Sequence, residues 1–123
     1  MRTRVSWWAM VVMGFAVTLT VFLSAQVAIS YEKVTFAGTA VGFSTTTLNT
    51  GNATAQECRG RLETAEIRIL TTGADPTATV GIPVEVGDWL VIQGMSELQR
   101  FKGIRTGSTS GVIHFQCYDS IRR

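Results

Sequence analysis

Histidine occurs once in this chain, at His114, cysteine twice, at Cys58 and Cys117, and proline twice, at Pro76 and Pro83. One imidazole and two distant thiols do not make a zinc-ligand spacing. A Ser/His/Asp site would need His114, one of many serines and Asp88 or Asp119, and no nucleophile-elbow sequence supports it. There is no GxGxxG, no phosphate loop and no Cys-x-x-Cys. Glu63 and Glu66 stand three apart, which on a strand turns them to opposite sides and spoils the paired-acid geometry of a glycosidase. Asp75 stands alone, without the several oxygen ligands that calcium requires. No catalytic, metal or cofactor site is therefore expected. An excess of charge is missing too. Of the eleven Lys and Arg, two are Arg2 and Arg4; the nine that remain are matched by nine Asp and Glu. That balance lacks the basic footprint of a nucleic-acid binder.

What is present begins with one long apolar run. From Val5 to Tyr31 there is no charged side chain, and the dense part, Trp7 to Leu23, is apolar except for two threonines. It is near the ~20 residues a helix needs to cross a bilayer core. Arg2 and Arg4 ahead of it favour an inside N-terminus and an outside remainder. Leu23-Ser24-Ala25 suits a signal peptide cleaved after Ala25, whereas the length of the run and the Trp7-Trp8 pair suit a retained anchor. A buried core helix is the third alternative. Residues 1–30 are thus expected to be a signal peptide or membrane-anchor helix, and residues 31–123 a single exported domain.

Both cysteines lie beyond this run, and in an oxidising compartment two such residues default to a disulfide. Alternation puts Cys117 on a face with Ile113 and Phe115, and Cys58 on one with Gly60 and Leu62, so both sulfurs point to the core. A pair of unbridged buried thiols is the alternative.

The exported part is patterned for strands. Val34 to Phe43 is Thr- and Val-rich with glycines that suit a bulge. Ser44 to Thr54 is a polar loop that contains the glycosylation tripeptide Asn52-Ala53-Thr54. Cys58 to Leu70 predicts a strand pair broken around Thr64-Ala65, with Arg59, Arg61 and Glu63 facing away from Cys58 and Leu62. Asp75-Pro76 is a turn in which Asp75 can bond the following backbone, and Pro83 marks an edge position in the strand from Ala78 to Val86. Trp89 to Ile92 is expected to be buried on both faces, with Trp89 in the core, and Met95 to Phe101 to form a helical turn carrying Leu98 and Phe101 inward. The clearest alternation lies in Phe101 to Tyr118, which predicts a β-hairpin around the turn Thr106 to Gly111. In its second arm Val112, His114, Gln116 and Tyr118 face away from the core. About seven short strands with glycine-rich turns predict an all-β fold, a small antiparallel sandwich or jelly-roll-like barrel, preceded by the hydrophobic helix.

The order Glu63-Thr64-Ala65-Glu66-Ile67-Arg68, Asp75-Pro76-Thr77-Ala78-Thr79-Val80-Gly81, Val86-Gly87-Asp88-Trp89-Leu90 and Phe101 to Gly111 resembles a group of short phage-associated β-sandwich proteins encoded among virion structural genes. The match covers about residues 55–118. The resemblance implies a non-enzymatic structural or decorating role, with other proteins or copies of the chain itself as partners. The chain departs from that group in its hydrophobic N-terminus and its cysteines, which favours a component inserted in a membrane or displayed outside one. The alternative is a glycan-binding module, in which Trp89, Tyr118 and the basic cluster Arg100, Lys102 and Arg105 would supply stacking and polar contacts. A solvated edge that discourages strand pairing explains that cluster more simply.

Overall fold

A computed structural model of the chain describes residues 26–120. The hydrophobic helix expected at the N-terminus falls outside them, and among the described residues no helix is long and apolar enough to cross a membrane. Seven strands and two short helices follow in the order β1 (Gln26–Phe36), α1 (Thr45–Leu48), β2 (Glu57–Arg61), β3 (Ile67–Leu70), β4 (Ile82–Val84), β5 (Trp89–Gln93), α2 (Met95–Arg100), β6 (Lys102–Arg105) and β7 (Gly111–Ser120). They form two antiparallel sheets, one of four strands in the order β1-β7-β2-β5 and one of three in the order β4-β3-β6. The fold is β-sandwich-like, with one apolar cluster between the sheets.

That cluster follows the alternation of the strands. Val34 and Phe36 of β1, Cys58 of β2, Ile67 and Ile69 of β3, Ile92 of β5 and Ile113, Phe115 and Cys117 of β7 are all buried. Leu98 of α2 and Phe101 after it are buried as well, as the apolar spacing predicts. Phe101 touches Phe43 at 5.0 Å, Phe115 at 5.9 Å and Phe36 at 6.1 Å between ring centroids, so four aromatic rings fill the centre. The Cys58–Cys117 disulfide forms, with both residues buried. It joins directly facing residues of β2 and β7, at a site in the ladder where the two residues share no backbone bonds and side chains approach most closely. A buried disulfide fits an oxidising compartment.

The expected hairpin from Phe101 to Tyr118 does not form. Its two arms, β6 and β7, belong to different sheets, and Thr106 to Ser110 crosses from one to the other. The reason lies in the packing of the glycines that open each arm. A Cβ at Gly103 would stand 2.5 Å from the Phe36 ring, and one at Gly111 would stand 2.3 Å from Ile67, so each strand lies tight against the sheet opposite. Hydrogen bonds from Thr106 to Glu66 O and from Thr64 to Ser110 O fasten this crossing to the neighbouring one between β2 and β3. Gly103→Ala is accordingly expected to destabilise the domain by ~1–3 kcal/mol, measurable by urea denaturation.

Four further expectations change. The first strand starts at Gln26 and ends at Phe36 rather than running from Val34 to Phe43, because a register shift between Ala28 and Ser30 hides its alternation. It therefore begins five residues ahead of the boundary drawn at residue 31. The polar loop after it contains the single turn α1. The turn near Pro76 is closed by Thr77, whose hydroxyl accepts from the Thr79 and Val80 N–H groups, while Asp75 pairs with Lys102 at 2.6 Å. Trp89 to Ile92 is buried on one face only: β5 is an edge strand, Leu90 and Ile92 face inward, and Trp89 is 68% exposed. Pro83 does sit on an edge strand, β4, as expected.

Candidate functional site

The side of the four-stranded sheet that faces away from the core gathers most of the exposed aromatic and cationic groups. Antiparallel register fixes the rows. Ala28, Tyr118, Glu57 and Gln93 form one, and Tyr31, Gln116, Arg59 and Val91 the next. Lys33 faces His114 and Arg61 faces Trp89 in the row beyond. At a strand spacing of ~4.8 Å, four strands span about 14 Å. Tyr31 is 61% exposed and Val91 51%, and with Trp89 they stand on the outer side of a hydrogen-bonded sheet.

Two polar networks stiffen this face. In the first, the Arg59 guanidinium lies 4.3 Å from the centroid of the Tyr118 ring. It donates to Glu57 Oε2 at 2.8 Å and to Gln26 Oε1 at 2.8 Å, and Gln93 donates to Glu57 Oε1 at 2.9 Å. Glu57 is buried beneath these partners, so its charge is matched by the Arg59 cation and the Gln93 amide. The network takes one residue or more from each of the four strands. Arg59 Nε is buried without a partner among the described residues.

In the second network His114 stacks on Tyr31 at 5.8 Å, and the Tyr31 hydroxyl hydrogen-bonds His114 Nδ1. Its other nitrogen lies 3.6 Å from Glu63 Oε2. A histidine between a phenol and a carboxylate has the parts of a proton relay, but it stands on an exposed face, with its Nδ1 and Nε2 directed to Tyr31 and Glu63. Contacts of this exposed kind are worth little. His114→Gln should move the unfolding free energy by no more than about 0.5 kcal/mol, checked by the same denaturation.

A shallow depression of about 230 Å³ opens beside this face, lined by Arg61, Leu62, Glu63, Val86 and Gly87. Arg61 spans it, donating from Nε to Gly87 O at 3.1 Å. A second depression, of about 320 Å³, lies at the α1–α2 end between Leu48, Met95 and Gln99.

The residues singled out in the sequence are distributed unevenly around the fold. His114, Gln116 and Tyr118 occupy the outer face, as alternation predicts, together with Arg59 and Arg61. The basic trio is spread over two elements. Arg100 ends α2, whereas Lys102 and Arg105 lie at opposite ends of β6 and turn to opposite sides of it. Lys102 is held by Asp75, and Arg105 donates to Ser108 O at 3.2 Å. The tripeptide at Asn52 sits in an exposed turn closed by Thr50 and Ala53. Gln26 was missed because it lies within residues 1–30, assigned to the signal peptide or anchor, and Tyr31 because it stands ahead of the first predicted strand at Val34. Comparison with known protein families, with curated proteins and with solved structures found no match.

Proposed function

We propose that this chain is a non-enzymatic structural or interaction protein, held outside a membrane and of the decorating kind found on virion-like particles. Its contact surface is the outer face of the four-stranded sheet. The observation that carries the reading is the placement of Trp89, Tyr31 and Val91, all more than half exposed, on one face of the sheet, with Gln116 and Arg59 between Tyr31 and Val91 and Arg61 beside Trp89. Aromatic and Arg side chains on a pre-ordered support are what protein contact surfaces concentrate, because they bury much area at little cost in conformational entropy. The particle assignment rests on the motif order between residues 55 and 118.

The test is incorporation into the native assembly. Purified particles or membranes from the producing cells should contain many copies of the wild-type chain, and Trp89→Ala should lower incorporation at least ~10-fold with the disulfide intact. Equal incorporation of the variant would remove the face from the proposal. The exposure of Trp89 also favours a second reading, in which the ring is a stacking platform for a saccharide and Arg61 and Glu63 line its polar flank. Binding on a glycan array that is lost in Trp89→Ala would establish it; no binding to any sugar would sink it.

A further inference from the structure

The four outer strands of the two sheets are not protected alike. The free side of β6 is capped by the loop between β1 and α1, through Val41 N–H to Gly103 O, Gly103 N–H to Val41 O and Arg105 N–H to Ala37 O. That of β1 is approached by the α1 segment, through the Ser30 hydroxyl to Thr47 O and the Ser44 N–H to the Glu32 carboxylate, and the strand carries Lys33. Strand β4 is three residues long with Pro83 at its centre. Each device is a recognised way of refusing another strand.

Among the described residues, strand β5 has none of them. Its five residues, Trp-Leu-Val-Ile-Gln, carry no charge and no proline. Bonds from Leu62 N–H to Asp88 O and from Gly94 N–H to Gln56 O show which positions bond to β2, and the ladder alternates. The backbone groups of Leu90 and Ile92 therefore point to β2, and those of Trp89, Val91 and Gln93 point away from the sheet. Among the described residues no hydrogen bond reaches these three backbone positions. The same three residues place two exposed apolar side chains, Trp89 and Val91, beside that open ladder.

We infer that β5 is the interface for a second copy of this chain, which adds antiparallel across a two-fold axis at Val91. In that register Val91 faces Val91 of the second copy, and Trp89 faces Gln93 in both directions. Each of the three pairs exchanges two backbone hydrogen bonds. An uncharged strand opposes no like charges when it meets itself, and a two-fold contact uses one self-complementary patch twice. The product is a continuous eight-stranded sheet whose outer face carries both copies of Trp89 near its middle. This inference goes beyond the contact face proposed above, because it rests on the edge of the sheet and not on what the face binds.

The test uses the full-length protein in detergent micelles. Wild type should have the protein mass of a dimer by light scattering, and Val91→Lys and Val91→Pro should both have the mass of a monomer. Neither variant removes a hydrogen bond within the sheet. Val91→Cys should form a disulfide-linked dimer under air oxidation, because facing hydrogen-bonded residues lie ~5.5 Å apart between Cα atoms, inside the disulfide range. Val80→Cys, equally exposed but away from β5, should not. A wild-type monomer at every concentration, a dimer that survives both Val91 variants, or cross-linking as strong at Val80 as at Val91 overturns the inference. Loss of incorporation in Trp89→Ala with the dimer intact would leave it standing, so the two proposals fail separately.

Discussion

Cys117→Ser should lower the unfolding free energy by about 4 kcal/mol. The two cysteines are 59 residues apart in sequence, and opening a loop of that length returns about this much conformational freedom to the unfolded chain. A second cost acts in the folded state, since the serine hydroxyl would lie fully buried opposite the Cys58 thiol and among apolar side chains. Guanidinium chloride titration of wild type and variant, with Cys58→Ser as the matched control, measures the difference. The two single variants should fall together, because either one removes the same bond. A loss below about 1 kcal/mol in both would show that the unfolded chain is not governed by this closure.

Phe101→Ala should cost a further class of energy, about 3–5 kcal/mol, through a void at the centre of the domain. The ring is buried against Phe36, Phe43 and Phe115, which are supplied by three separate stretches of chain. Backbone at this point has little room to collapse: a Cβ at Gly42 would stand 2.3 Å from Phe101 O. Phe101→Leu should recover much of the loss, as it refills most of the volume. Thermal unfolding of the three proteins orders them, and an alanine variant as stable as wild type would mean that Phe101 is not at the centre of the core.

The parts of the fold that were legible in the sequence are those set by period-two alternation. The faces of Cys58, Leu62, Ile113, Phe115 and Cys117 could be assigned residue by residue, and the outward side of His114, Gln116 and Tyr118 came with them. Sheet membership could not. Two strands joined by a polar, glycine-bearing link satisfy the same local pattern whether they pair or arch between sheets. At Thr106 to Ser110 the choice is made by how closely Gly103 and Gly111 approach Phe36 and Ile67, which no window of sequence contains.

The candidate site was half legible for related reasons. Trp89 belongs to an apolar run that looks buried, and only the position of β5 at the end of the sheet exposes it. Tyr31 and Gln26 lie around a register shift that breaks the alternation by which β1 would be recognised. Arg100, Lys102 and Arg105 cluster in sequence, yet a strand sends neighbours of odd spacing to opposite sides.

The pairing of Gln26 with Ser120 has a mechanical consequence. The outer strand β1 lies beyond the Cys58–Cys117 bond, which ties β7 to β2 and leaves β1 attached only by its hydrogen bonds and its share of the core. A pull on the chain at Gln26, with the rest of the domain held by its outer face, loads the β1–β7 ladder one pair at a time from that end. Under such a load β1 peels first, and the covalent tie between β7 and β2 stops the tear at the next strand.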